Sequence, residues 1–297
     1  MANLKEVRNR IKSVTSTQQI TKAMKMVSAA KLKRATNAIV QLRPYANKLK
    51  ELLANLSASL EDGSSPFLVE RIPNKVLIIT VSSNRGLAGA FNANVIKTAN
   101  NLIAEKYSEQ LKAGNVSIVS IGKKTQEYYE RRKYKVIGNN SDVYNELNFA
   151  NVSLITESVM QGFLKGDYDR VELVYNQFKN AAVQYLITEQ LLPVPKAEAK
   201  ETEKGVKGPQ VDYILEPSQE AIVEQLIPKN IKTQVYKAVL DSNASEHGAR
   251  MTAMDKATDN AGELLKALKL SYNQARQAAI TTELTEIVSG AAALSAN

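Results

Sequence analysis

Both ends of this chain carry long segments in which apolar residues recur at alternating intervals of three and four residues. Near the amino end, Leu4, Val7, Ile11 and Val14 follow this spacing, which is typical of the seam of a helix packed along a partner helix. A long helix cannot bury such a stripe by itself, so the chain must supply a second helix or recruit one. This requirement constrains the fold of the 297-residue chain more than any other feature.

The first helical segment is predicted over residues 1–60. After a polar interruption at 15–19, the apolar stripe resumes with three residues: Ile20, Met24 and Val27. A second apolar register begins at Ile39. Pro44 lies within the segment, and because proline lacks a backbone N–H group it should kink or split the helix there.

The second helical segment is predicted over residues 217–297, where Pro228 could break it early. Its seam also alternates three and four and holds many small residues: Met254, Ala257, Ala261, Leu264, Leu268, Ser271, Ala275, Ala278 and Thr282. The simplest partner for this seam is the first helix in an antiparallel pair, because an inserted domain can return the chain to its starting point. A separate homodimeric coiled coil would satisfy the same pattern.

Residues 74–195 have a different character, in which apolar strands alternate with helices. Strands are predicted at Lys75–Ser82 and Val116–Ile121, and Asn92 or Asn94 could cap a helix that runs to about Lys112. This alternation predicts a mostly parallel sheet covered by helices.

Two further strands, Arg170–Phe178 and Ala182–Leu192, are close enough in sequence to form an antiparallel hairpin. The polar residues 196–211 are predicted to be a mobile loop. The fold class is therefore α/β plus a long α-helical coiled coil, an antiparallel pair of terminal helices with an inserted Rossmann-like open α/β domain.

Positive charge is concentrated at the amino end. The chain has a net charge of +9, and residues 1–50 contain twelve basic residues and a single acidic one. Such a segment attracts an acidic protein surface or a polyanion. A nucleic-acid-binding coiled coil is therefore an alternative function, although the segment has no aromatic residue before Tyr45 on which a base could stack.

The sequence offers no set of residues for catalysis, a cofactor or a metal. The chain has no Cys and a single His, His247, which argues against thiolate chemistry and zinc sites. The turn at 86–89 has two glycines but lacks the third that a dinucleotide fingerprint requires. A nucleotide-binding α/β enzyme is the third and weakest hypothesis.

Membrane insertion is also not predicted, because no stretch approaches the roughly 18 apolar residues of a spanning helix. The amino end enters a helical pattern without a signal or transit segment. We therefore expect the protein to stay on the cytoplasmic side.

Two long motifs at the ends of the chain resemble one family. Residues 8–34 include Thr-Gln-Gln-Ile-Thr-Lys-Ala-Met-Lys-Met-Val, and residues 245–291 include Ser-Glu-His-Gly-Ala-Arg-Met and Ile-Thr-Thr-Glu-Leu-Thr-Glu-Ile-Val-Ser-Gly-Ala. Together with the turn at 83–92 they resemble the gamma subunit of the bacterial F-type rotary ATP synthase.

The resemblance implies a function and a set of partners. The paired helices would form a rotor shaft inside a ring of alpha and beta subunits, and the α/β domain would contact the epsilon subunit and the c-ring. Ion flow would turn the shaft and so drive the catalytic sites of the head, while the chain itself would bind no nucleotide and no nucleic acid. The complex would lie at the bacterial inner membrane, with this chain peripheral on its cytoplasmic side.

The resemblance also implies which residues contact partners. Four lie in the segment facing acidic lever regions of the beta subunit: Lys22, Met24, Lys31 and Arg34. Five lie where the second helix meets the catch loops of the head: Arg250, Arg276, Gln277, Thr281 and Glu283. The last twenty residues hold only two charged side chains, which suits a tip that turns inside an apolar sleeve.

Overall fold

The computed structural model describes residues 4–57, 65–195 and 219–295. Two long helices, α1 (Leu4–Ser57) and α6 (Gln219–Ser295), come first and last in the described chain. The elements between them are β1 (Val76–Val81), α2 (Phe91–Lys106), α3 (Ser108–Lys112), β2 (Val116–Ile121), α4 (Lys123–Arg131), β3 (Lys135–Val136), a 3-10 turn (Ser141–Tyr144), α5 (Phe149–Lys165), β4 (Arg170–Phe178) and β5 (Gln184–Leu192).

The five strands form one open sheet in the order β3-β2-β1-β4-β5. The first four strands run parallel, and β5 pairs antiparallel with β4 as the predicted hairpin requires. Every residue of β1 and β2 is buried, as is typical of a parallel sheet covered on both faces. The predicted fold class, long terminal helices around an α/β domain, is confirmed.

Side chains of the central strand alternate between two apolar cores. Val76 and Ile78 of β1 pack with residues of α2 and with Tyr129 of α4. Leu77 and Ile79 face the opposite way and pack with α5 and α6. The α6 segment in this second core buries five residues completely: Ile227, Ile231, Val235, Ala238 and Val239. The beginning of α6 is thus part of the α/β core.

Neither proline splits its helix. α1 runs through Pro44, and α6 begins before Pro228 and runs through it. The predicted early break at Pro228 and the predicted split at Pro44 are therefore wrong, while a kink at Pro44 stays a prediction. A proline removes only one backbone hydrogen bond. Burial of apolar side chains on both sides of Pro44, at Ile39 and Leu49, stabilises the continuous helix.

Other local predictions also need correction. The helix after β1 does not reach Lys112 uninterrupted, because α2 ends at Lys106 and a short α3 follows. Asn92 does not cap it; the Asn92 Oδ1 atom accepts a hydrogen bond from Ser83 N at 3.0 Å. The strand β3 was not predicted, and the loop predicted at 196–211 lies outside the described residues.

The chain divides into two compact units. The helix-pair unit comprises Met1–Ala29 and Arg250–Asn297. The α/β unit comprises Ala30–Ala249, so it includes the later part of α1 and the earlier part of α6.

Candidate partner-contact surfaces

The helix-pair unit consists of the first part of α1 and the later part of α6 in antiparallel contact. Arg8 donates to the Tyr272 hydroxyl at 2.9 Å, Thr258 Oγ1 donates to Thr21 Oγ1 at 2.8 Å, and Lys25 forms an ion pair with Asp255. In these pairs the residue number on α6 falls as the residue number on α1 rises, so the two helices run antiparallel. The predicted intramolecular pairing is therefore observed.

The seam of α1 differs from the predicted one where the sequence turns polar. Ile20 and Val27 were predicted to face the partner helix, yet their side chains are 59% and 57% exposed. Thr21 and Ser28 are buried in their place, and Gln18 donates to the Thr258 carbonyl at 3.4 Å. The three-four spacing continues without interruption, but polar residues occupy it.

The seam of α6 shows a similar one-residue displacement. Leu265 is buried, whereas the predicted Leu264 is 42% exposed. Small residues do allow close approach, since a Cβ atom added at Gly262 would lie 3.0 Å from Gln18 Nε2. The two helices are thus held by small and polar contacts as well as by apolar ones.

The α1 residues predicted to contact the beta subunit are mostly exposed to solvent. In the helix-pair unit, Lys22 is exposed and Met24 is half-buried. In the α/β unit, Lys31 and Arg34 are exposed. Lys22 is followed along the helix-pair unit by two exposed apolar residues, Met26 and Val27, which sequence reasoning did not assign to partner contact because it placed Val27 in the seam.

The α6 positions predicted to contact the head fall into two groups. Arg276, Gln277, Thr281 and Glu283 are all exposed. Arg250 is only 7% exposed, so most of its side chain is already covered within the chain. The exposed group lies on the last part of α6, and Arg250 does not belong to that surface.

The last described turns of α6 form an exposed apolar surface, which we call the tip (residues 276–291). Four large apolar side chains are exposed there: Ile280, Leu284, Ile287 and Val288. The hydroxyls of Thr281, Thr282 and Thr285 donate to carbonyl oxygens one turn earlier, at 2.8–2.9 Å. Because these hydroxyls already donate within the helix, they need no hydrogen-bond acceptor from a partner.

The helix register explains why the tip is exposed. The contact between Arg8 and Tyr272 places Leu4, the first described residue of α1, near residue 276 of α6. Beyond that point no described residue of α1 remains to cover α6. The tip is therefore an apolar surface that the described part of α1 does not cover.

The glycine-containing turn after β1 is occupied by structural contacts. Asn84 Oδ1 accepts from Lys123 N at 3.0 Å, and Ser82 Oγ lies 2.8 Å from Thr125 Oγ1. A Cβ atom added at Gly122, whose φ is +114°, would lie 2.1 Å from the Ser82 carbonyl oxygen. These groups bind one another, so the turn joins strand to helix as a packed connection.

α6 fills the crevice at the carboxyl ends of β1 and β4, where open α/β sheets commonly bind ligands. Ser242 Oγ lies 3.5 Å from the Val81 carbonyl oxygen, and Ser245 Oγ donates to Asn176 O at 3.2 Å. Asp241, also in this segment, is fully buried. Burial raises the pKa of Asp241 above its ordinary value, although Arg43 and Lys237 oppose the shift.

Two further findings concern the described residues alone. Residues 4–57, 65–195 and 219–295 contain no cluster of three or more His, Asp or Glu residues that could hold a metal ion. Across the same ranges no helix combines the length and apolar character required to cross a bilayer.

Comparisons with known proteins agree on one family. A family model described as ATP synthase matches residues 3–294. The chain is 56% identical to the ATP synthase gamma chain of Cytophaga hutchinsonii and 54% identical to that of Christiangramia forsetii, over 99% of each chain in both comparisons.

Solved structures give the same picture. The chain matches a chain of the Tetrahymena thermophila mitochondrial ATP synthase central stalk and c-ring with 28% identity and a TM-score of 0.57, over 80% of this chain and 99% of that one. It matches a chain of the Euglena gracilis mitochondrial ATP synthase (OSCP/F1/c-ring) with 21% identity and a TM-score of 0.65, over 98% and 94%. The second match supports the fold alone.

Proposed function

Because this chain belongs to the ATP synthase family, and within it resembles the gamma chains over its full length, we propose that it is the central rotor shaft of a proton- or sodium-driven ATP synthase. It couples rotation of the c-ring to conformational cycling of the alpha and beta subunits. The chain is a subunit of the complex and performs no chemistry of its own.

The observation that carries this proposal is the exposed apolar tip of α6. A shaft that turns inside a ring must contact the ring at every angle, so its end should be apolar and free of fixed ion pairs. The tip carries Ile280, Leu284, Ile287 and Val288 on its surface and only three charged side chains, Arg276 at its beginning and then Glu283 and Glu286. A directional ion pair would hold one angle, whereas apolar contact is non-directional.

The exposure of these side chains supports the proposed partner contacts. Lys22, Lys31 and Arg34 are exposed cations and Met24 is a half-buried, adaptable side chain, which suits contact with acidic regions of the beta subunit. On α6, Arg276, Gln277, Thr281 and Glu283 contact loops of the head. Arg250 contributes mainly through its contacts inside the chain, because its side chain is buried.

The α/β unit is the part that meets the c-ring and the epsilon subunit. The complex lies at the bacterial inner membrane with this chain on the cytoplasmic side. The absence of a spanning helix among the described residues is consistent with a peripheral position. Filling of the sheet's crevice by α6 supports a role without bound nucleotide.

Co-purification tests the proposal. An affinity tag on the full-length chain, expressed with its own alpha and beta subunits, should retain both together with ATP hydrolysis activity. The variant Ile287→Asp/Val288→Asp, which places two charges on the tip, should retain less of the head than the matched variant Lys266→Asp on an exposed position of the same helix. Recovery of the tagged chain alone, or with nucleic acid, would contradict the proposal.

A further inference from the structure

One buried carboxylate in the α/β unit connects three elements of the fold. Asp241 of α6 is fully buried, and its Oδ1 atom accepts a hydrogen bond from Arg43 Nη2 of α1 at 3.0 Å. The same Oδ1 atom accepts from Phe178 N, at the end of β4, at 3.4 Å. Arg43 Nη2 also donates to Phe178 O at 2.7 Å. The two long helices and the sheet therefore meet at a single ion pair.

Stability alone is a weak reason for this arrangement. Removing a carboxylate from water is costly, and a buried ion pair is often no more stabilising than well-packed apolar residues of similar size. The cost is visible here, since Asp241 Oδ2 is buried without a hydrogen-bond partner. A role that depends on direction, and not only on burial, accounts better for a charged pair at this position.

The surrounding residues pack α6 closely against the hairpin. Phe178 forms a small apolar cluster with Ala35 of α1 and Ala244 of α6. One turn further along α6, a Cβ atom added at Gly248 would lie 3.1 Å from the Ala181 carbonyl oxygen. Small side chains thus bring the helices and the β4–β5 hairpin close together, so that short hydrogen bonds can form between them.

We propose that the contact of Arg43, Asp241 and the Phe178 backbone, which we call the joint, transmits torque between the α/β domain and the two long helices. The inference rests on the proposed function as a rotor shaft. Rotation applied to the α/β domain must enter α1 and α6, and both helices pass through the joint before continuing into the helix-pair unit.

The hydrogen bonds of the joint are of a kind that can transmit torque. Charge-assisted hydrogen bonds are directional and resist sliding of a helix along a strand. Apolar contacts give cohesion but little resistance to sliding, because their energy depends weakly on direction. Arg43 Nη2 alone donates to both the carboxylate and the carbonyl. The planar guanidinium fixes the directions of its N–H groups, whereas the N–H groups of a lysine ammonium rotate.

The test separates torque transfer from stability with a double variant. Arg43→Met alone leaves Asp241 buried without its cation and should lower the thermal midpoint of the chain. Arg43→Met/Asp241→Leu replaces both partners with apolar groups and should recover most of this loss, although not all of it, because Phe178 N and O lose these hydrogen bonds. In membranes containing the assembled complex, the double variant should nevertheless pump about threefold fewer ions per ATP hydrolysed against an opposing ion gradient.

A matched control uses another ion pair that joins α6 to the α/β domain. Lys232 of α6 pairs with Glu157 of α5, and the carboxylate of this pair is 49% exposed, whereas Asp241 is fully buried. Lys232→Met/Glu157→Gln should leave pumping per ATP unchanged. Arg43→Lys keeps the charge but replaces the planar guanidinium with a rotatable ammonium, and should give an intermediate loss of pumping per ATP.

The outcomes are distinguishable. If the double variant pumps like wild type against the gradient, the joint is only a packing contact and the inference is wrong. If the loss in pumping simply follows the loss in thermal stability across all variants, the inference is also wrong. If wild-type complex shows no ATP-driven pumping that requires this chain, the proposed function itself fails, and the joint fails with it.

Discussion

The two halves of α6 are one continuous helix with opposite surroundings. In the α/β unit, Ile227, Ile231 and Val235 are completely buried in the core. At the tip, Ile287 and Val288 have the same apolar chemistry and are 67% and 66% exposed. Both halves carry large apolar side chains. They differ in that the first half is covered by the α/β core and the tip is exposed.

This difference separates two tasks that share one helix. The buried half fixes α6 to the sheet, where apolar burial and the contact of Asp241 with Arg43 hold it in place. The exposed half has an apolar surface that the described part of α1 does not cover. Changes to the buried apolar side chains of the first half should therefore act on stability, and changes at the tip on coupling to the head.

The largest effect is expected from a cavity in the buried half of α6, measured as a loss in the free energy of unfolding. Ile231→Ala should lower the free energy of unfolding of the isolated chain by about 3 kcal/mol, because it removes a fully buried side chain and leaves a cavity. Ile287→Ala, the same change at the tip, should cost less than about 0.5 kcal/mol. Urea denaturation followed by circular dichroism measures both. Equal losses at the two positions would contradict the division.

The second effect appears in the complex and not in the isolated chain. Deleting residues 278–297 removes most of the tip, so ATP-driven ion pumping should fall and assembly with the head should weaken. The melting temperature of the α/β unit should stay unchanged, because its core contains no residue of the tip. Ion uptake by membrane vesicles and calorimetry of the isolated chain test the two statements. If the truncated complex pumped ions normally, the tip would have no role in coupling and the prediction would be wrong.

A smaller effect concerns the polar seam of the helix-pair unit. Thr258→Ala removes the hydroxyl that donates to Thr21 Oγ1 and lies 2.7 Å from the Met254 carbonyl oxygen. We expect a loss of about 1 kcal/mol in the free energy of unfolding. Thr281→Ala is the control, since its hydroxyl contacts only its own helix in an exposed position. An equal loss at Thr281 would mean that the seam hydrogen bond adds nothing.

The smallest expected effect is a pH dependence at the joint. Burial raises the pKa of Asp241, so the folded chain holds this proton more tightly than the unfolded chain. Protonation of Asp241 therefore stabilises the folded chain. This stabilisation is complete below the pKa that Asp241 has in the unfolded chain, and it is lost as the pH rises through the pKa that Asp241 has in the folded chain. Relative to Asp241→Asn, the wild-type chain should therefore become less stable as the pH rises from about 4, the ordinary pKa of an aspartate, through the raised pKa of Asp241. Urea denaturation across this range measures the difference, and a relative gain with rising pH would contradict it.

The sequence predicted the parts of the fold whose periodicity is strong. The buried strands β1, β2 and β4 and both terminal helices were found because apolar patterns identify them. β3 has only two residues and no pattern of its own. Local propensity predicts a break at a proline, but it does not include the burial of neighbouring side chains that keeps both helices continuous.

The seam shows most clearly why side-chain roles were harder to predict. Hydrophobicity placed Ile20 and Val27 in the seam, whereas the structure places Thr21 and Ser28 there. A strict three-four count from Val14 would have found Gln18 and Thr21, but polar residues were read as an interruption. The apolar residues left outside were then available for partners, a role that apolar periodicity does not reveal.

Observing rotation of this chain inside its complex tests the account most directly. The chain has no cysteine, so Leu154→Cys on α5, at a position that is 65% exposed, provides a single site for attaching a bead. With the alpha and beta subunits fixed to a surface, ATP should make the bead turn in one direction, and removal of ATP should stop it. A complex that hydrolyses ATP while the bead stays still would contradict the rotor shaft.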